Sequence, residues 1–246
     1  MTVKLTDFKI LTFDCYGTLI DWERGMFEAL TPLTSRLKAS LTRDQVLEAH
    51  ARHESSQQAH TPAMIYSELL AVVYKRLAEE WGAGTSWSEC LAYGASIGKW
   101  PAFADSIDAL AYLKQHYKLA ILSNVDNESF ALSNVKLGAA FDAVFTAQDI
   151  GSYKPSPRNF DYMIEKLANL GFTKHDVLHT AESLYHDHVP ANRHGLTSCW
   201  IHRRHDAPGF GATMNPGAMP NVDFRFNSMA ELVKAHRMEI GGSSRR

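Results

Sequence analysis

The sequence predicts an α/β protein: a parallel sheet with helices on both faces, interrupted after its first strand by an inserted helical bundle. Two observations carry this expectation. From Pro101 onward, short apolar runs alternate with single helical stretches, and strands separated by single helices make a parallel sheet covered on both sides. Between about Trp22 and Trp100 no strand-like run occurs and helical periodicity dominates.

The elements follow in order. Residues 8–16, Phe-Lys-Ile-Leu-Thr-Phe-Asp-Cys-Tyr, form an apolar run that ends in a turn at Gly17-Thr18. This is a buried strand delivering Asp14 into a loop. The insert is clearest in Pro62–Trp81, where Ile65, Leu69, Val72, Val73, Leu77 and Trp81 recur at helical spacing. Gly82–Thr85 turns the chain into a further helical stretch, Trp87–Trp100, and about four helices are expected in all. Beyond it, strands are expected at Lys118–Asn124, Ala143–Ala147, Val177–Ala181 and Ser198–His202, with helices near 105–116, 126–138, 157–170 and 187–194. Ser156-Pro157 supplies a helix start, Ser228-Met-Ala-Glu231 a capping box, and Gly171 and Gly195 fit helix ends. Residues 205–223, rich in Gly, Pro and Asn, read as a long surface loop, and Gly241–Arg246 as a disordered tail.

Composition excludes several classes. The 246 residues are 45% apolar and 21% charged, with a net charge of −2. That is an ordinary globular balance, without the basic surplus a nucleic-acid or anionic-membrane partner would call for. No apolar run approaches the roughly 20 residues of a membrane span, and the N-terminus lacks a signal-peptide core. Cys15, Cys90 and Cys199 are too scattered for a disulfide framework or a zinc cluster. A reducing, cytoplasmic setting is the expectation.

Four expected strand ends bring polar residues towards one place: Asp14 and Thr18, then Ser123 and Asn124, then Lys154, then Glu182 and Asp187. Each alone could be a cap or a turn residue. Together, at the carboxyl ends of parallel strands where ligands bind, they define a candidate site.

These segments carry a resemblance. Phe13-Asp-Cys-Tyr-Gly-Thr-Leu19, Leu122-Ser-Asn124, Tyr153-Lys-Pro155 and Ala181-Glu-Ser-Leu-Tyr-His-Asp187 resemble the four signature motifs of the haloacid dehalogenase superfamily. They occur in that family's order, span nearly the whole chain, and the helical insert is similar to its cap domain. The resemblance implies a Rossmann-like core from 1–20 and 101–240, a cap at 21–100 and a tail at 241–246. It implies a catalytic set of Asp14, Thr18, Ser123, Asn124, Lys154 and Asp187. Asp14 would be the nucleophile, Thr18 and Ser123 would hold the substrate's anionic group, and Lys154 would orient Asp14. Asp187 would hold Lys154, water or a metal. Cys15, Tyr16, Ser123 and Asn124 are then the expected substrate-binding residues. The chemistry is reasonable by itself: an aspartate nucleophile must be held rigidly, and a lysine keeps it ionised.

Within the superfamily, phosphatases carry a second Asp two residues after the nucleophile, to protonate an alkoxide. Here that position is Tyr16, and a phenol is a poor acid near neutrality. Halide leaves without a proton, so Tyr16 points to displacement at carbon and resembles the L-2-haloacid dehalogenases. The expected reaction is hydrolytic dehalogenation of a short 2-haloalkanoic acid, with no cofactor. Three residues depart from that pattern: Glu182 in place of Ser, Leu184 in place of Asn, and Phe160 in place of Tyr. Glu182 points the other way, towards a Mg²⁺-dependent small-molecule phosphatase whose metal would be held by Asp14, the Tyr16 carbonyl, Glu182 and Asp187. Arg43 and Arg52 lie where dehalogenases place a halide-receiving cap arginine, but neither aligns with it. His186 and His188, two apart at a helix start, should diverge and make no zinc site. The expected partner is a small anionic substrate, with no nucleic acid or membrane; a homodimer is compatible with these features.

Overall fold

A computed structural model describes residues 3–243. Strand β1 (Ile10–Phe13) lies in a six-stranded, wholly parallel sheet with β2 (Lys118–Ser123), β3 (Ala143–Thr146), β4 (Val177–Ala181), β5 (Thr197–Ile201) and β6 (Phe224–Phe226). Its order is β3-β2-β1-β4-β5-β6. The change of direction at β1 places a crevice beyond the carboxyl ends of β1, β2 and β4, the switch point where such sheets bind ligands. In register, Phe13 faces Ile121 on one side and Thr180 on the other, so the residues that follow all three strands meet.

Alternation along the strands divides the core. Leu11, Phe13, Leu119, Ile121, Leu178 and Cys199 join one apolar cluster, which α5 (Ser106–Leu113), α6 (Asn127–Leu137) and α10 (Met229–Ser243) help to cover. Ile10, Ala120, Leu122 and Val177 join the other, packed on Phe160, Met163 and Leu167 of α8 (Pro157–Asn169) and Ala191 of α9 (Val189–Arg193). A single turn of helix, α7 (Ala147–Ile150), follows β3.

Between β1 and α5 the chain forms α1 (Trp22–Thr34), α2 (Arg43–His60), α3 (Tyr66–Glu80) and α4 (Trp87–Gly94), closed by a 3₁₀ turn over Ala95–Lys99. α3 starts at Tyr66, four residues after the expected Pro62. α1 lies flush on Trp100 because Gly25 has no side chain; a Cβ there would come within 2.3 Å of the indole. The two crossings into this helical insert hydrogen-bond to each other, Asp21 N–H to the Pro101 carbonyl at 2.8 Å and Phe103 N–H to that of Leu19 at 3.0 Å.

Three expectations change. Strand β6 was not expected, because three residues with Arg225 between two phenylalanines make too short a run to read as a strand. α10 continues through Gly241, Gly242 and Ser243, so the expected tail is helical as far as it is described; once a helix has nucleated, each added residue needs only one further bond. Residues 244–246 of that expectation lie outside the described residues. The loop from 205 to 223 is not all surface: Ala212 is buried and its N–H donates to Glu23 Oε1 at 3.0 Å. Among the described residues, no helix is long and apolar enough to cross a membrane.

Candidate active site

Asp14 follows β1 directly, and the Gly17 turn (φ +96°) folds Thr18 back over it. Thr18 donates its hydroxyl to Asp14 Oδ2 at 2.9 Å and accepts the Glu182 main-chain N–H at 2.9 Å. Thr18 is therefore a brace between the β1 and β4 loops, and it grips the carboxylate itself. Lys154, 1% exposed, donates to Asp14 Oδ1 at 2.9 Å, Asp187 Oδ1 at 2.7 Å and the Leu122 carbonyl at 2.9 Å. These three bonds use all three ammonium protons. Asn124 holds the lysine's main chain reciprocally, accepting Lys154 N–H at 2.7 Å and donating to the Lys154 carbonyl at 3.0 Å. Its part is to position Lys154.

The triad's electrostatics follow from its burial. Desolvation pushes the Asp14 carboxyl up, and Lys154 offsets this while Asp187 adds to it. Asp187 feels the same desolvation, but Lys154 and His179 outweigh it and hold it well below the carboxylate range. Lys154 stays charged because the two carboxylates outweigh its own desolvation. His179 reaches Asp187 Oδ1 through Nε2 at 2.9 Å and meets Thr12 Oγ1 through Nδ1 at 2.9 Å. Sequence reasoning missed His179, since it sits in an apolar strand and nothing marks it as polar support. Asp187 Oδ2 is buried with no hydrogen-bond partner among the described residues.

The cavity over Asp14 measures ≈ 30 Å³, room for one or two waters. Asp14, Tyr16, Asn124, Lys154 and Asp187 line it. So do Trp22, Glu54, Gln58 and Tyr66 from the cap, and Val125, Ser183, His186 and Thr213 from the core. None of these latter residues was expected at the site. The cap residues carried one legible signal: His50, Glu54 and Gln58 stand four apart on α2, a polar stripe that nonetheless turns inward.

Two expected substrate contacts fall elsewhere. The Cys15 side chain is fully buried in the core, and burial raises its thiol far above the ordinary range; it does not line the cavity. Strand alternation explains this, because neighbouring side chains point to opposite sides. Ser123 is buried behind the wall, its hydroxyl bonded to nothing among the described residues. Tyr16 does line the cavity, but its hydroxyl is committed to α6, donating to the Ser129 carbonyl at 3.1 Å and meeting Ser133 Oγ at 2.6 Å. Burial raises this phenol well above its ordinary range.

Phe160 packs between His179 and His194, away from the cavity. Arg52 pairs with Glu80 outside the site, and Arg43 lies over Phe27, 3.8 Å from Glu23. Lys154 is thus the one cation in the described cavity wall. His186 and His188 do diverge. His186 faces the cavity with Nε2 unpartnered among the described residues, kept neutral by burial, whereas His188 Nε2 bonds the Ala181 carbonyl at 3.0 Å.

Glu182 does not join the Asp14 cavity. It lines a neighbouring one with Glu23, Arg43 and Arg204, and its Oε2 lies 3.6 Å from where a Gly17 Cβ would be. Desolvation, then Glu23 and Asp14, raise its carboxyl to about 8. The oxygen donors required for Mg²⁺ are therefore not gathered. Both Asp14 oxygens already accept hydrogen bonds, the Lys154 ammonium stands between Asp14 and Asp187, and Glu182 opens elsewhere. The set Asp14, Tyr16, Glu182 and Asp187 does not fit the metal in this arrangement.

The model of the haloacid dehalogenase-like hydrolases matches residues 8–180, and the chain belongs to that family. It is a hydrolase. (S)-2-haloacid dehalogenase 4A of Burkholderia cepacia is 26% identical over 203 residues, 80% of this chain and 84% of the relative. Putative HAD-hydrolase YfnB of Bacillus subtilis is 24% identical over 220 residues, 87% of each chain, and its magnesium-bound crystal structure superposes with a TM-score of 0.72. L-2-haloacid dehalogenase from Xanthobacter autotrophicus, with chloropropionic acid covalently bound, superposes with a TM-score of 0.74 at 17% identity, covering 94% of this chain and 98% of that one. At such identities the solved structures establish the fold.

Proposed function

We propose that this hydrolase displaces halide from a short 2-haloalkanoic acid, with Asp14 as the nucleophile. The observation that carries the reading is the state of Tyr16: no acid stands where a phosphoester's leaving oxygen would need a proton. Its hydroxyl is bound to α6 and its phenol is raised well above its ordinary range. His186, neutral from burial, is no acid either. The Burkholderia relative's dehalogenase activity and the covalent adduct of the Xanthobacter enzyme support the same chemistry.

In the first step an Asp14 oxygen attacks the halogen-bearing carbon and the C–X pair leaves as halide, giving an aspartyl ester. Lys154 and Thr18 fix the carboxylate's plane for that attack. In the second step water adds at the Asp14 carbonyl carbon and gives a proton to a buried acceptor. That proton passes on to the departing alkoxide oxygen, so the ester opens to a 2-hydroxy acid, and the remaining proton leaves with solvent as Asp14 returns to its carboxylate. Asp187 Oδ2 and His186 Nε2 are the unpartnered acceptors there. Residues 21–100 act as the cap, which must open because the closed cavity admits little more than water.

Halide release from 2-chloropropionate, measured beside phosphate release from a phosphomonoester, tests the reading. Chloride should appear, unaffected by EDTA, with no phosphate released. Phosphate release restored by Mg²⁺ after chelation would place the chain with the phosphatases.

A further inference from the structure

The cap turns a carboxylate, not an arginine, towards the nucleophile. Glu54, 4% exposed, lines the same cavity as Asp14. Its Oε1 accepts from the Tyr66 hydroxyl at 2.8 Å and from Gln58 Nε2 at 3.2 Å, and both donors belong to the cap. Its Oε2 accepts no hydrogen bond among the described residues; the nearest basic atom is His50 Nδ1 at 3.5 Å. Tyr66 and Gln58 thus hold the side chain still while leaving one oxygen open. Lys154, the cavity's cation, is already shared between Asp14 and Asp187. A purely alkyl group pressed against Glu54 would displace water from Oε2 and leave that oxygen without a donor.

We propose that Glu54 is a specificity-determining residue that selects 2-haloacids carrying a hydrogen-bond donor, such as a hydroxyl, on the carbon beyond the reacting one. The inference rests on the dehalogenase reading of the same site. With the C–X carbon at Asp14, the substrate's side chain reaches the Glu54 side of the shared cavity and places its donor on Oε2. A site built to hydrogen-bond a hydroxyl rejects the methyl isostere far more strongly than an apolar pocket rejects an added hydroxyl.

Two near-isosteric substrates test this, 2-chloro-3-hydroxypropanoate and 2-chlorobutanoate, which differ in hydroxyl for methyl. The wild type should favour the hydroxy acid in kcat/KM by about tenfold or more. Glu54→Gln, which can still accept from Tyr66, should shrink the preference, and Glu54→Leu should reverse it. Binding of the unhalogenated glycerate and 2-hydroxybutanoate, followed by calorimetry, should show the same order without any turnover. Equal chloride release from both acids, or equal loss on both in the variants, would overturn the role of Glu54 and leave the dehalogenase reading standing. Glycerate preference that depends on Glu54, without chloride release from either acid, would sink the reaction and keep the selectivity. No discrimination in either assay would overturn the selectivity proposal.

Discussion

Glu182 illustrates how one residue can mislead at the level of sequence and become informative in three dimensions. Its position in the fourth motif suggests a third carboxylate in the catalytic pocket. The Gly17 turn and the Thr18 bond to its main chain instead leave the side chain in the neighbouring cavity, facing Glu23 and Arg204. With a carboxyl raised from 4.5 to about 8, the folded chain holds a proton that the unfolded chain has lost across that interval. Protons are then bound more by the native state, so Glu182's contribution to stability is present at low pH and declines as pH rises towards 8. Glu182→Gln should remove this decline and be the more stable protein at pH 8, by on the order of 2–4 kcal/mol. Urea melts of both proteins at pH 5, 6.5 and 8 check it; parallel pH curves would show that Glu182 is ionised throughout. Asp14, Lys154 and Asp187 were legible because each belongs to a motif, although only Asp14 directly follows a strand; Lys154 comes after α7 and Asp187 lies in the turn that follows β4. His179 and Glu54 were not, because their roles come from partners on other elements: Asp187 for one, Tyr66 and the cavity for the other.

Among the elements, the cap and the core are fastened by a few polar bonds that long-range folding brings together. Arg204, from the loop after β5, donates to Glu23 Oε2 on α1 at 2.6 Å and to Asp44 Oδ1 on α2 at 3.0 Å. On the other side, Asp126 at the start of α6 accepts the Ser67 N–H of α3 at 3.1 Å. Nothing in the local sequence marks Arg204 as a fastening residue, since Glu23 and Asp44 lie 181 and 160 residues away. Arg204→Met keeps the packing of its stem and removes the charged bonds, which are worth about 1.5–3 kcal/mol each when partly buried. Amide exchange in α1 and α2 should speed up while β1, β2 and β4 keep their protection. Unchanged exchange in both helices would mean that the cap is held by its apolar contacts alone. The helices of the insert were readable from periodicity, whereas the short β6 carries too weak a local pattern to announce itself, and the polar stripe on α2 does not by itself say that it turns inward.

Across the whole molecule, the sheet's switch point, the Lys154 bridge and the closed cap all converge on one atom group, the Asp14 carboxylate. The alternation of strands and helices made the α/β architecture legible, and the motif order singled out Asp14 as the residue on which the Lys154 and Thr18 bonds close. The cavity wall was not, because it is assembled from the cap, the β4 loop and Thr213 of a loop that looked purely superficial. The proposed dehalogenation depends on Asp14 forming a bond to the substrate and surrendering one of its own oxygens. Single-turnover hydrolysis of a 2-haloacid in ¹⁸O-enriched water, with enzyme in excess, followed by mass spectrometry of the Asp14 peptide and of the hydroxy acid, measures this directly. Covalent catalysis places the label in Asp14 and leaves the first-turnover product unlabelled; label in the product with none in Asp14 would mean that water attacks carbon directly and would contradict the account.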